Sequence, residues 1–217
     1  MGEPVLERRV EEGDRRVTFP ARVFVGITGA SGAPYALRLL TVLGAAGCRV
    51  ELCVSDSGVT VLRHELGLSA HDRHDVIEAL LARAGATATV HDPFDLAAPP
   101  ASGSNAPDVV ILCPCSMSSV AHVALGSTRT LIHRVADVAL KERRTLIIVP
   151  RETPVTAIHL RRMLELAEAG AIIVPASPAF YFLPETLAEA VDHVVGKVLA
   201  VAGVEHHLFP PWEGEQS

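Results

Sequence analysis

Short apolar runs and stretches of helical periodicity alternate along this chain. Residues 23–28 (VFVGIT) form the first apolar run, which passes directly into Gly29-Ala30-Ser31-Gly32. Pro34 follows where proline suits the first turn of a helix, and Ala36, Leu37, Leu39, Leu40, Val42 and Leu43 then recur on one helical face. Further strands are predicted at 48–55, 88–90, 108–113, 145–150 and 171–175. Helices are predicted at 57–67, 75–85, 127–144, 156–169 and 185–202, with one more opening at the serines after Cys115. Gly47, Gly85 and Gly170 stand where helices stop. The predicted strands are apolar on both faces, the pattern of a mostly parallel sheet covered by helices on each side. The expected fold is therefore α/β, three layers, without an internal repeat or domain boundary.

The ends of the chain depart from this alternation. Residues 1–20 are charged and mixed in sign and are expected to form a mobile extension. Residues 21–205 make up the predicted domain, and 206–217 a tail that contains the only tryptophan, Trp212. The stretch 91–107, with AAPPASGS inside it, is long for a connection in a compact domain, which favours a functional loop. With 217 residues, 49% of them hydrophobic, the chain is able to bury one full core. A net charge of −6 argues against a broad nucleic-acid footprint. No apolar run reaches the roughly 18 residues of a membrane span, and the four cysteines come without a secretory signal, so a cytoplasmic location is expected.

The candidate chemistry begins at the first turn. A strand that ends in Gly29-Ala30-Ser31-Gly32 and opens a helix directs free N–H groups and a helix dipole at an anion. The spacing is not G-x-G-x-x-G, so a dinucleotide fingerprint is lacking. Ser55 ends the second strand, the edge where open α/β sheets place ligands. Cys113-Pro114-Cys115 has no second cysteine pair to complete a zinc site. Ser116, Ser118 and Ser119 serve either as helix caps or as ligand contacts. His64, His71, His74, His206 and His207 read as solvated. Arg151-Glu152, at a strand's carboxyl end, is either a surface ion pair or an anion-binding and proton-handling pair. Arg134, Lys141, Arg143 and Arg144 form either a solvated basic face or a seat for phosphate. There is no DDxxD motif for magnesium-assisted diphosphate chemistry.

In order, the chain contains TGASGA, the serine and glutamate at 55 and 65, PPASGS, CPCSMSS, RVADVALKERR, VPRETP, GAIIVPASPAFY and a terminal PW. Together these segments resemble the flavin prenyltransferases of the UbiX type, across about residues 22–213. The resemblance implies a flavodoxin-like or Rossmann-like fold assembled as a dodecamer. It implies transfer of a dimethylallyl group from dimethylallyl monophosphate to N5 and C6 of reduced FMN, without metal. The prenylated FMN would serve a partner decarboxylase. Carried over by position, Gly29, Ala30, Ser31, Ser55, Ser116, Met117, Ser118, Ser119 and Arg151 match the family's FMN contacts. Tyr181, Lys197, Arg134 and Lys141 match contacts to the prenyl donor, some of them made across subunits, and Trp212 an aromatic near the prenyl pocket. Ser31, Glu65 and Glu152 match acid/base and polar residues. The family often carries arginine where this chain has Lys197. The competing expectations are an FMN-dependent decarboxylase, against which PCSMSSVA argues, and a flavin-binding subunit without chemistry.

Overall fold

A computed structural model describes residues 22–70, 72–210 and 214. The extension 1–20, His71 and Trp212 lie outside the described residues. The elements run β1 (Arg22–Ile27), α1 (Ala33–Ala45), β2 (Arg49–Val54), α2 (Asp56–Glu65), α3 (Arg73–Ala84), β3 (Ala88–His91) and β4 (Val109–Cys115). They continue with α4 (Met117–Ala124), α5 (Leu131–Lys141), β5 (Thr145–Pro150), α6 (Ala157–Glu168), β6 (Ile172–Ile173) and α7 (Leu187–Ala202). The strands form one parallel sheet in the order β3-β2-β1-β4-β5-β6.

The order follows from the sequence pattern. A parallel sheet with helices on both faces buries both sides of each strand, so its strands read as continuous apolar runs. Val23, Val25 and Ile27 of β1 pack with α1, α2, α3 and α7 on one face. Phe24 between them joins Val110, Leu112, Ile132 and Val135 on the other face, with α4, α5 and α6. The chain winds outward from β1 to β3 and then returns to lay β4 beside β1, with Val23 opposite Val109. The switch of direction between β1 and β4 opens a crevice at their carboxyl ends. Gly26 permits the close approach there, since a Cβ on it would stand 2.7 Å from Leu112 Cδ2 and 2.9 Å from Ile132 Cγ2.

Three expectations are corrected. The helix predicted from 127 begins at Leu131, because Ser127 N–H bonds back to the His122 carbonyl at 2.8 Å and residues 126–129 close α4 in a turn. The stretch 91–107 is not featureless, since Pro99–Ala101 and Gly103–Asn105 are short 3-10 turns seated near α5. The strands are not wholly apolar either. Glu51, 5% exposed within β2, accepts from Arg22 Nε at 3.0 Å and lies 2.9 Å from His91 Nε2. Burial pushes its carboxyl up, but the bonds from His91 and Arg22 outweigh that and hold it below the usual value.

Candidate functional site

Thr28, just past β1 and 2% exposed, ties the two halves of the crevice together. Its hydroxyl donates to the Pro114 carbonyl at 3.1 Å and accepts from Ser116 N–H at 2.7 Å. The Thr28 N–H also reaches the Pro114 carbonyl, at 3.2 Å. The start of α4 is thus fixed against the end of β1.

Three helices then point their N-termini into one place. Ser55 caps α2 by accepting from Gly58 N–H at 3.0 Å, and its hydroxyl lies 3.2 Å from that of Ser57. Ser116 caps α4 by accepting from Ser119 N–H at 3.3 Å, with its hydroxyl 3.2 Å from that of Ser119. Thr130 precedes α5 without a side-chain cap. Thr28, Ser55, Ser57, Ser116, Ser118, Ser119, Thr130 and His133 line a cavity of about 340 Å³ among them. Hydroxyls, free N–H groups and three positive dipole ends suit a phosphate carried on a polyhydroxyl chain. Ser55 and Ser116 thus cap their helices and line the cavity as well, while Ser118 and Ser119 line it without capping. Met117, by contrast, is 7% exposed and packs into the core with Val120 and Leu131.

The turn at Gly29–Gly32 differs from expectation. The anion at its helix N-terminus is the protein's own: Glu65 Oε2 accepts from Gly32 N–H and Ala33 N–H, each at 2.8 Å. Burial raises the Glu65 carboxyl, but bonds from Ser31, Gly32 and Ala33 and the charge of Arg151 together hold it below its usual value. Arg151 does not pair with Glu152. Its Nε donates to the Ser31 carbonyl at 3.2 Å, which brings its charge to the turn. Ser31, Gly32, Tyr35, His64, Glu65 and Arg151 line a second cavity of about 490 Å³. Gly29 has no room for a side chain, since a Cβ there would meet Ser57 Oγ at 2.4 Å. Ala30 beside it is buried.

Tyr181 and Lys197 meet in an aromatic cluster. The rings of Tyr181 and Phe182 lie 6.0 and 5.4 Å from that of His193 on α7, and Phe209 lies 4.8 Å from it. Lys197 Nζ stands 5.3 Å over the Phe209 ring. His206, read from sequence as solvated, instead packs against Phe209 at 5.5 Å.

The remaining cations do not join them within one chain. Arg134 and Lys141 sit on α5, across the sheet from α7. Arg134 Nη1 donates to Asp137 Oδ2 at 3.0 Å and its Nε to the Ala101 carbonyl at 3.2 Å, while Lys141 pairs with Glu142. Glu152 is exposed, and among the described residues its carboxylate accepts only from the neighbouring Thr153 N–H, at 3.1 Å. The exposed His74, Asp75 and Glu78 of α3 bring ligand atoms within 4.8 Å of one another, but none of them lines either cavity of the crevice.

Comparison with known proteins agrees with this geometry. A family model described as Flavoprotein matches residues 14–204. The flavin prenyltransferase UbiX of Halalkalibacterium halodurans is 45% identical over 192 residues, 88% of this chain and 93% of that protein. The chain belongs to the UbiX-type flavin prenyltransferases. Among solved structures, AnUbiX in complex with FMN and dimethylallyl pyrophosphate superposes with a TM-score of 0.81 at 37% identity, over 91% of this chain and all of that one. A dodecameric FMN-dependent UbiX-like protein of Escherichia coli O157:H7 gives 0.79 at 40% identity, over 89% and 100%.

In this UbiX-type chain two crevice residues escape sequence reasoning. Thr28 looks like the last residue of an apolar strand, and only its place beside Ser116 reveals its use. His133 reads as one helix position among others. Its Nε2 lies 3.4 Å from Ser119 Oγ, and its ring stacks on His122 at 4.8 Å. Burial, with the neighbouring His122 and Arg129, pushes its pKa down to about 4, so it lines the first cavity as a neutral group. Among the described residues no helix is long and apolar enough to cross a membrane.

Proposed function

We propose that this protein transfers a dimethylallyl group from dimethylallyl monophosphate to reduced FMN and releases prenylated FMN for a partner decarboxylase in the cytoplasm. The observation that carries the reading is the hydroxyl-lined cavity at three converging helix N-termini, in a chain 45% identical to a named flavin prenyltransferase. Ser55, Ser116, Ser118 and Ser119 would hold the FMN phosphate and its polyhydroxyl chain, with Gly29, Ala30, Ser31 and Arg151 beside the ring. Reduced FMN supplies the electron-rich N5 and C6 that the prenyl group joins as a fourth ring.

The chain's own residues then have four tasks. Tyr181 and Lys197 orient the prenyl donor, and Lys197 balances charge on the phosphate as the allylic C–O bond breaks and its electron pair leaves with the phosphate. The aromatic rings around Tyr181 give the developing allyl cation a dry, π-rich wall, and Trp212, outside the described residues, matches a further aromatic of the family's prenyl pocket by sequence position alone. Glu65 fixes the Ser31 turn against the FMN ring. The first bond, to N5, releases the N5 proton; closing the ring consumes the prenyl double bond, so the released proton is delivered to the prenyl C2 while Glu152, or the departing phosphate, takes the proton lost from C6. Holding donor and acceptor in contact is the largest contribution.

Glu152, Arg134 and Lys141 enter this scheme from a second copy of the chain. None of them lines either cavity within one chain, and exposed Ile158, Leu160 and Leu164 on α6 offer an apolar face for assembly in a chain similar to a dodecameric protein. The test is mass spectrometry of the flavin released after anaerobic incubation with reduced FMN and dimethylallyl monophosphate, without added metal. A gain of one C5 unit is expected. Bound but unmodified FMN, where a positive control reacts, overturns the reading in favour of a carrier or a decarboxylase.

A further inference from the structure

His193 is 6% exposed and sits at the centre of the cluster that joins three segments. Its Nδ1 accepts from the backbone N–H of Ala179 at 3.3 Å, two residues before Tyr181. Its ring stacks on Phe182 with an interplanar angle of 14° and meets Tyr181 edge-on at 82°. Phe209 of the C-terminal segment covers it, and Gly196, one turn along α7, leaves room for that cover, since a Cβ there would stand 2.4 Å from the Phe209 ring. Lys197 follows His193 by four residues on α7, one turn on.

Because Nδ1 accepts, the ring proton of the neutral imidazole lies on Nε2. That buried nitrogen has no hydrogen-bond acceptor among the described residues. A residue present only to fill the cluster would be better as phenylalanine, which stacks equally well and leaves no buried donor unpaired. The feature that phenylalanine lacks, and that the structure uses, is the acceptor for Ala179 N–H.

We propose that His193 is a positioning residue of the prenyl-donor subsite, whose neutral Nδ1 holds the Tyr181 segment against the helix that carries Lys197. The assignment of Tyr181 and Lys197 to that subsite rests on the function proposed above; the tether itself does not. Protonation would place a hydrogen on Nδ1 facing the Ala179 N–H and break the tether. Burial and the charge of Lys197 both move the His193 pKa below its usual value, so the tether holds at neutral pH and fails as pH drops through that lowered value. Among the described residues, Tyr181 from the loop meets the ring edge-on and the charge of Lys197 on α7 acts on it, while His206 of the C-terminal segment packs on Phe209, which covers the ring.

The experiment compares wild type, His193→Phe and His193→Asn. Asparagine keeps an acceptor oxygen near the position of Nδ1; phenylalanine keeps only the ring. Hydrogen exchange at the Ala179 amide is read first. Protection is expected in wild type and His193→Asn at pH 7, with loss in His193→Phe and, for wild type alone, at acid pH. Steady-state kinetics with dimethylallyl monophosphate are read second. His193→Phe is expected to raise KM for the donor roughly tenfold, the worth of one ordered hydrogen bond, with kcat and FMN affinity little changed. His193→Asn restores the KM and removes its rise on the acid side. Equal Ala179 protection in wild type and His193→Phe overturns the proposal even if no prenylation is seen. Prenylation by wild type with an unchanged donor KM in His193→Phe overturns it and leaves the function intact.

Discussion

Replacing Thr28 by valine tests whether the crevice is held together by one hydroxyl. Valine has the same shape, so the packing around a residue only 2% exposed is preserved. Two hydrogen bonds are lost, but their consequences differ. The Pro114 carbonyl still accepts from Thr28 N–H at 3.2 Å, so that loss costs little. Ser116 N–H loses its 2.7 Å acceptor and has no other, because it lies in the first, unpaired turn of α4. The Ser116 N–H is only partly buried, so leaving it unpaired costs about 1 kcal/mol, the low end for an unsatisfied donor. Tm should then fall roughly 2–4 °C for a chain of this length. The start of α4 also loosens where Ser116, Ser118 and Ser119 line the cavity, and FMN affinity should drop about tenfold, equivalent to 1.4 kcal/mol. Circular dichroism melting and FMN fluorescence titration measure the two effects. Thr28→Ser is the control: it keeps the hydroxyl, loses one methyl at about 1 kcal/mol, and should bind FMN normally. If Thr28→Val and Thr28→Ser bind FMN equally well, the hydroxyl does not organise the crevice and the reasoning fails.

Glu65→Gln should cost about 1 kcal/mol at pH 7, a modest figure because the carboxylate is partly open to solvent. Its folded pKa is depressed, so its contribution is present above the unfolded value of 4.5 and is lost as pH falls through the lower folded value. Urea unfolding should therefore separate variant from wild type at pH 7 and bring them together in acid, once the pH lies below the lowered folded value. Glu152→Gln should retain FMN and slow prenylation, read as C5 incorporation over time; undiminished rates would remove Glu152 from the proton path. Gly29→Ala should fold but bind FMN at least tenfold more weakly by titration, because the new Cβ displaces Ser57 from the cavity wall.

The strands were legible because a parallel sheet buried on both faces leaves unbroken apolar runs, and their alternation with helices dictated the layers. The start of α5 was not, since Ser127 and Thr128 resemble helix caps while Ser127 N–H in fact closes the preceding helix. The capping serines at 55 and 116 were readable from their place after strands. Glu65 at the N-terminus of α1 was not, because its partners lie 32 and 33 residues away and no periodicity links them. The resemblance matched Arg134, Lys141 and Lys197 to one donor, but sequence could not say which of them share a chain's face; α5, with Arg134 and Lys141, lies across the sheet from α7 with Lys197. Local spacing records which residues share an element, and carries little about which elements share a face.

The carboxylate of Glu65 has a consequence for ligand choice. In doubly wound sheets the helix after the first strand is where a dinucleotide's pyrophosphate docks. Here that berth is filled by a side chain, held by the two N–H groups a pyrophosphate would use. A second phosphate arriving there would meet a negative charge and find these two N–H groups already taken. Larger flavin and nicotinamide coenzymes are therefore expected to bind more weakly than FMN, without a bulky gate. A mononucleotide whose single phosphate sits at the neighbouring helix ends would escape that penalty, so a preference for the small coenzyme would be built into the fold by one carboxylate.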